Sequence, residues 1–457
     1  MKVLLTVPMS RPKDDVQPMN DNGLGYLAAS CAKAGAEVVL QVWNVNMDMN
    51  SFRQKLLAIR PDIVGMKVFT MHFNWAYNTL RVVKETIPDA VTVIGGPHPS
   101  TSRPEDIFSE FGSVLDYAVA GDGEASMDSL IQKVKAAKGI PQADALHDVP
   151  GLIYRYNSEI RSNKRSFNGD LDSLPGINWA LQQPEWFRSA VDRKKNGNAG
   201  ELYNKILISD SRGCPALCGH CMSFHINGSL PRKRSINKLR EEIDELVHKY
   251  NVRYLDFTGN AFLSDVGYLE DLCHRLIEFN LPLRWNCTGA AYDRNLRNTK
   301  LLELMKKSGC DMIHFGIETG NPRVMKRLCK PLSLEEYAEV VRFTASAGIK
   351  PLGYFMFGFP DETPPEMEDT IKYAVSLPFD SITFQTCIPF PGTSSHKALL
   401  ENHGLKRIDW STYDFNNPKL LPCKASINQL HSKLFKAKVL RRSRLARGLY
   451  RMIYLCK

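Results

Sequence analysis

The stretch Gly213-Cys-Pro-Ala-Leu-Cys-Gly-His-Cys-Met-Ser-Phe-His225 sets Cys214, Cys218 and Cys221 in one short turn, spaced C-x3-C-x2-C. The residues before it, Lys205-Ile-Leu-Ile-Ser-Asp210, read as a strand. The thiols therefore stand at a strand's carboxyl end, the edge where barrel enzymes keep their sites. Soft thiolates select zinc or an iron–sulfur cluster. Zinc ordinarily draws a fourth ligand from a second paired motif. No second pair is present here, so a zinc knuckle would need His220 or His225 to close it. Three cysteines by themselves suit a four-iron cluster with one iron left open.

The length of 457 residues predicts two or three domains with ample surface to bury. No run of eighteen apolar residues occurs, and the start, Met1-Lys-Val-Leu-Leu-Thr-Val-Pro8, lacks a small-residue cleavage site, so neither a transmembrane span nor a signal peptide is expected. The eleven cysteines are odd in number and, outside the triplet, scattered. That pattern implies no disulfide framework and a reducing cytoplasm. The net charge of +10 is misleading as an average: residues 415–457 carry eleven Lys/Arg and no acid, leaving 48 basic against 49 acidic residues elsewhere.

Over the first 140 residues, apolar runs at 2–8, 37–43, 63–68, 90–94 and 117–120 alternate with helical patterns at 24–34, 74–86 and 124–137. Such alternation predicts a doubly wound α/β domain with a parallel sheet, whose ligands sit beyond the strands' carboxyl ends. Gly23-Leu-Gly25-Tyr-Leu-Ala28 imitates a dinucleotide fingerprint, but it begins about fifteen residues past the first strand, where that motif should open the helix at once. This argues against a nicotinamide site. Gly95-Gly96-Pro97-His98-Pro99 reads as a tight turn after the fourth strand, and Gly121-Asp-Gly123-Glu124 follows the fifth. Paired glycines let a bulky ligand approach the backbone, although a plain turn would also use them.

Residues 141–200 read as a connector with a small hairpin (149–156 and 159–161) and a polar loop, 193–200. From 205 onward six strand–helix units recur, with strands at 206–209, 254–258, 283–286, 312–317, 350–357 and 381–386. Residues 430–456 read as a basic amphipathic helix. Its bland role is packing on the barrel with a solvated basic side; the alternatives are docking on anionic lipid, a partner or nucleic acid.

The cysteine spacing after Arg212-Gly213, with Gly316-Ile-Glu318-Thr-Gly320-Asn321 and Phe357-Gly358-Phe359-Pro360-Asp-Glu-Thr363, resembles the radical S-adenosylmethionine (SAM) family. Leu24–Ala29 and the two glycine strings resemble the cobalamin-binding domain placed ahead of many of its members. The resemblance covers residues 1–400 and implies a flavodoxin-type, Rossmann-like cobalamin domain (1–140), the connector (141–200), a partial (β/α)6 TIM-type radical SAM barrel (201–400) and a basic helical tail (401–457).

By that resemblance Cys214, Cys218 and Cys221 hold a [4Fe-4S] cluster whose open iron takes SAM's amino and carboxylate groups. Glu318 reaches SAM's ribose or methionine portion, Gly358 and Pro360 support adenine, and Gly259-Asn260 stand near the amino group. His220 occupies a position usually aromatic, and Thr288-Gly289-Ala290 replaces an arginine many relatives carry. Gly95, Gly96, Pro97, His98, Gly121, Gly123 and Glu124 would hold the corrin and its nucleotide tail, with Phe69, Thr70 and Met71 against its lower face. Met9–Gln17 lacks the histidine that ligates cobalt in many cobalamin domains, which implies base-off cobalamin; His72 and His98 read as turn histidines rather than cobalt ligands.

The implied activity is a methyltransferase acting on an unactivated carbon or a phosphinate. One SAM would methylate cobalamin. Another would give a 5′-deoxyadenosyl radical, which removes a substrate hydrogen. The alternatives are a non-methylating cyclase or rearrangement enzyme, or a cobalamin- or cluster-based sensor. The implied partners are a small-molecule, lipid or carrier-bound substrate and a flavodoxin- or ferredoxin-type electron donor. A tRNA-modifying role would predict salt-dependent RNA binding, but no RNA-binding module is visible.

Overall fold

The computed structural model describes residues 1–9, 20–44, 48–182, 188–191, 202–281, 283–289, 293–413, 420–442 and 450. The histidine-free segment after the first strand, the 193–200 loop, Ala290 and most of the tail beyond 442 lie outside these. The chain divides into two compact units.

In the first unit, β1 (Lys2–Met9), α1 (Asn22–Lys33), β2 (Glu37–Asn44), α2 (Met49–Ile59), β3 (Ile63–Lys67), α3 (Phe73–Thr86), β4 (Val91–Gly95), α4 (Pro97–Thr101), α5 (Pro104–Phe111), β5 (Tyr117–Val119) and α6 (Glu124–Ala137) alternate. β6 (Leu152–Tyr156) and β7 (Glu159–Ser162) follow. The sheet order is β2-β1-β3-β4-β5-β6-β7, parallel through β5. Strands rich in Val, Ile and Leu are buried on both faces, as helices on either side require. The order 2-1-3-4-5 is the flavodoxin type, with its ligand crevice at the switch between β1 and β3.

Two readings of the sequence change here. The hairpin placed in the connector forms the antiparallel edge of this sheet, Tyr117 opposite Tyr154. The glycine–proline turn after β4 is the start of α4: Gly96 caps it at φ +90° and Pro97 takes its first position. α2 and α5, which the sequence reading had not picked out, complete the layers.

β8 (Arg188–Val191) pairs antiparallel with β9 (Leu202–Ile208). The dipeptides β10 (Ser211–Arg212) and β11 (Arg232–Lys233) pair antiparallel and close a long loop that contains α7 (Ser223–Asn227) and the three cysteines. Then come α8 (Ile236–Tyr250), β12 (Val252–Phe257), α9 (Val266–Glu278), β13 (Arg284–Gly289), α10 (Thr299–Lys307), β14 (Cys310–Glu318), α11 (Pro322–Arg327), α12 (Leu334–Ser346), β15 (Lys350–Phe357), α13 (Pro364–Ser376), β16 (Ser381–Thr386), α14 (Ser394–His403) and α15 (Ile427–Arg442).

β12 to β16 run parallel in sequential order. The sheet continues to the end of β9, where the Ile208 carbonyl accepts from the Thr258 N–H at 3.0 Å. Burial alternates along β14 and β15. Ile313, Phe315, Phe355 and Phe357 are buried on one face, and half-buried His314 and Tyr354 stand on the other. Phe384 stacks on both Phe355 and Phe357. These strand–helix units form an open half-barrel with an apolar outer layer and a polar inner lining. Among the described residues no helix is long and apolar enough to cross a membrane.

The described part of the basic tail packs on the half-barrel. Leu430 and Ala437 of α15 are fully buried, and Glu368 of α13 receives Lys433, Lys436 and the Tyr450 hydroxyl. Burial opposes ionisation of Glu368, but these three donors hold its pKa down at about 2. A depressed carboxylate stabilises the docked helix above its unfolded pKa and loses that contribution as pH falls through the folded value. The helix should therefore stay docked at neutral pH and loosen as pH falls from about 4.5 towards about 2. Glu368→Gln should cost about 1–3 kcal/mol locally, read as at least tenfold faster amide hydrogen exchange across residues 427–442 at pH 7.

Candidate active site

The cysteine loop starts where Gly213, at φ +88°, turns out of β10; a Cβ there would lie 2.1 Å from the Leu230 carbonyl oxygen. Only glycine lets the two ends of the loop press together. Cys214 and Cys218 are buried and Cys221 is half-buried. The Cys221 N–H donates to the Cys218 carbonyl at 3.0 Å, and the Ser223 N–H donates to Cys221 Sγ at 3.3 Å. Burial pushes the Cys218 thiol up to about 11 and raises Cys221, and the nearby Cys214 sulfur adds to both, while Lys330 opposes. Thiols such as Cys218 and Cys221, which resist ionisation by themselves, are suited to a group bringing its own positive charge. Among the described residues no three His, Cys, Asp or Glu side chains converge as one metal ion would need. Three soft sulfur donors on one loop are a donor set that fits an iron–sulfur cluster.

The residues expected around SAM gather at this loop. Glu318 sits at a bulge between β14 and β15 with φ +74°, a conformation costing about 1–3 kcal/mol for a non-glycine residue. Its carboxylate lies 3.8 Å from His220 Nε2. Burial raises its pKa, but the neighbouring His220 ring and the Lys330 charge outweigh that and leave it below the ordinary value. The His220 ring meets Phe359 edge-on at 5.6 Å, which brings the 358–360 turn to the same place. From the other side, Asn260 Nδ2 donates to Ser223 Oγ at 2.6 Å, linking the end of β12 to the loop.

Two of the expected positions have partners within the chain. Gly358 and Phe359 donate their N–H groups to Glu362 Oε2, at 2.6 and 3.1 Å, so at these two positions only the carbonyl edge remains for adenine. Gly259 faces Asp210: a Cβ there would lie 2.0 Å from Oδ1 and 2.3 Å from Ser211 Oγ. That glycine makes room for a buried carboxylate. The sequence reading missed Lys330, Glu362, Ser223 and Ser394. The Ser394 N–H donates to the Gly219 carbonyl at 2.7 Å, which fastens the start of α14 to the cysteine loop. Glu362 and Ser223 lay inside or beside quoted motifs, whereas no spacing rule points to Lys330.

In the first unit the expected cobalamin residues lie at the carboxyl ends of β3, β4 and β5, but only some face outward. Met71 is 45% exposed, and Phe69, Gly95, Gly96, Gly121 and Gly123 are half-buried. Four of these six are glycines, so the backbone here is open to close approach by a large ligand. Thr70, Pro97, His98 and Glu124 are buried. His98 is fully enclosed, its Nδ1 3.1 Å from Thr70 Oγ1 and its Nε2 3.0 Å from Glu110 Oε2, with Phe73 and Phe111 against the ring. It braces the β3 and β4 ends and reaches no ligand, because both ring nitrogens are already committed. Gly121 donates its N–H to Ser100 Oγ at 3.1 Å.

Gly259→Ala should cost about 1–3 kcal/mol through overpacking against Asp210, seen as a lower melting temperature. Burial pushes Glu362 up to about 7, against the lowering effect of the two backbone donors. A carboxyl raised in the fold contributes stability below its unfolded pKa and loses it as pH rises through the folded value. Glu362→Gln keeps an acceptor for both N–H groups without that titration, so its melting temperature should gain on the parent's between about pH 5 and 8.

Residues 16–131 match the model of the B12 binding domain and residues 208–374 that of the radical SAM superfamily. The chain is 26% identical over 442 residues to an uncharacterized methyltransferase of Pyrococcus horikoshii, covering 95% of this chain and 91% of that protein. It is 26% identical over 420 residues to cytidylyl-2-hydroxyethylphosphonate methyltransferase of Streptomyces wedmorensis, covering 81% and 76%. The fold matches the cobalamin-dependent SAM radical enzyme OxsB with aqua-cobalamin bound at a TM-score of 0.67 and 18% identity, covering 83% of this chain and 53% of that one, about half its length. With the thiol loop at the mouth of its half-barrel and a flavodoxin-type sheet ahead of it, this chain is a radical SAM protein that carries an N-terminal B12-binding domain.

Proposed function

We propose that the protein is a cobalamin-dependent radical SAM methyltransferase acting on an unactivated carbon or a phosphinate. The observation that carries this reading is the gathering of His220, Glu318 and the 358–360 turn around a loop of three thiols, in a chain that also has a B12-binding domain. When bound, the cluster and the corrin supply reductive SAM cleavage and a methyl carrier. The chain's own residues do the positioning. Cys214, Cys218 and Cys221 hold the cluster. The Glu318 carboxylate, kept ionised beside His220 and Lys330, accepts hydrogen bonds from SAM. His220, braced by Phe359, borders the adenine, and Asn260 keeps Ser223 and so Cys221 in place. Phe69, Met71 and glycines 95, 96, 121 and 123 border a corrin bound base-off. The substrate is a small, lipid or carrier-bound molecule, the electron comes from a flavodoxin- or ferredoxin-type donor, and the compartment is the reducing cytoplasm.

Anaerobic reconstitution followed by incubation with methyl-labelled SAM tests this. The expected result is about four irons per chain, retained cobalamin, 5′-deoxyadenosine, and label moving into a product. Deoxyadenosine without label transfer would make the protein a non-methylating radical enzyme. Cys218→Ala should retain its fold by circular dichroism, lose the iron, and cleave SAM at least 100-fold more slowly.

A further inference from the structure

We propose that Lys67 binds the phosphodiester of the corrinoid's nucleotide tail. The inference rests on the cobalamin reading above and says which part of that ligand this chain recognises. The inner strands β1, β3, β4 and β5 end in Met9, Lys67, Gly95 and Val119, so Lys67 carries the one charge among these strand ends. The rest of β3 is buried, and packing such a strand calls for an apolar residue rather than an ammonium. Lys67 stands at the switch between β1 and β3, where a sheet of this order holds its ligand. Its stem passes Gly96, where a Cβ would lie 2.9 Å from Lys67 Cγ, and its ammonium lies 5.2 Å from the centre of the Phe69 ring. Both residues belong to the edge assigned to the corrin.

The ammonium is held by Asp21, the residue that opens α1. Lys67 Nζ donates to Asp21 Oδ2 at 2.7 Å, and the lysine side chain keeps 24% of its surface in water. Asp21 is fixed by other contacts as well. Its Oδ1 caps α1 by accepting from the Leu24 N–H at 2.9 Å, and its backbone exchanges two hydrogen bonds with the Gln182 amide. The carboxylate therefore stays in place when the lysine turns elsewhere. Exposed Gly23 leaves the pair open to an incoming group: a Cβ there would lie 3.6 Å from Nζ. A corrinoid has one group for such a cation. The corrin side chains are neutral amides, and the only anion is the phosphodiester that joins ring to base. Lysine binds phosphate as a point charge, through charge-assisted hydrogen bonds. Lys67 thus exchanges an internal carboxylate for that phosphate, and Asp21 competes with the ligand.

Visible titration of the protein with hydroxocobalamin, and with diaquacobinamide, which lacks the nucleotide tail and its phosphate, tests the proposal. Lys67→Met should weaken hydroxocobalamin about tenfold or more and leave cobinamide within about twofold of the parent. Lys67→Arg should keep most of the parent's affinity. Asp21→Asn retains a helix cap and removes the competing carboxylate, so it should tighten hydroxocobalamin several-fold. An ion pair with a structural role alone gives the opposite result, because both variants would then weaken binding. Equal losses for the two corrinoids in Lys67→Met, or weaker hydroxocobalamin binding by Asp21→Asn, would overturn the phosphate contact. If Lys67→Met does not fold, the Asp21→Asn titration decides. A parent that binds neither corrinoid would overturn the cobalamin reading itself and this proposal with it.

Discussion

Between the paired dipeptides Ser211–Arg212 and Arg232–Lys233 the chain makes a long excursion that has little regular structure of its own and yet must hold three thiols in fixed positions. Ordering such a loop costs conformational entropy that its one short helix does not recover. The cost is met by tethers from elsewhere. Gly219 is bonded to Leu328 after α11 and to Ser394 at the start of α14, and Asn260 after β12 holds Ser223 beside Cys221. Each tether comes from a different strand–helix unit, so the thiols keep their places only while the half-barrel keeps its shape.

The same strand ends gather charged groups, some half-buried and some fully enclosed. Lys330 lies among Tyr337, Glu318, Cys218 and Asp293; burial works against its ammonium, and these groups more than compensate. Asp210 and Asp293 are fully buried, their carboxyls pushed up to about 6 and about 7 by desolvation. Both press against glycines at the ends of adjacent strands: a Cβ on Gly259 or Gly289 would fall within 2.0 Å of a carboxylate oxygen. Glycine here serves close approach between side chain and backbone, which is a different use from the left-handed turns at Gly96 and Gly213. Buried charge of this kind is costly unless its partners are fixed, and the bulge that sets Glu318 at positive φ adds further strain at the same point.

Much of the architecture was legible in the sequence because period and composition carry it. Lys350–Phe357 and Ser381–Thr386 begin and end where the apolar pattern does, and Glu124–Ala137 is a helix over the residues its pattern marks. The hairpin at 152–162 was visible as a hairpin, but its place on the first sheet was not. Antiparallel addition at an edge depends on which backbone groups are left unpaired in space, and no local pattern records that. His98 shows the same limit: a histidine after a glycine–proline pair looks available for a ligand, and only packing against Phe73, Phe111 and Glu110 shows it enclosed.

The sequence by itself determined the chemistry available, since three soft donors at one spacing leave a narrow choice of cofactor, and it determined the order of strands and helices, since burial of alternating apolar runs forces it. The tertiary structure alone decided which groups stand around those donors. Lys330 is more than one hundred residues from Cys218, Glu362 takes the two backbone donors of Gly358 and Phe359, and Gly259 leaves room for Asp210. Electrostatic and steric contact depend on distance through space, and chain separation sets no bound on it once parallel strands have brought their carboxyl ends to one edge.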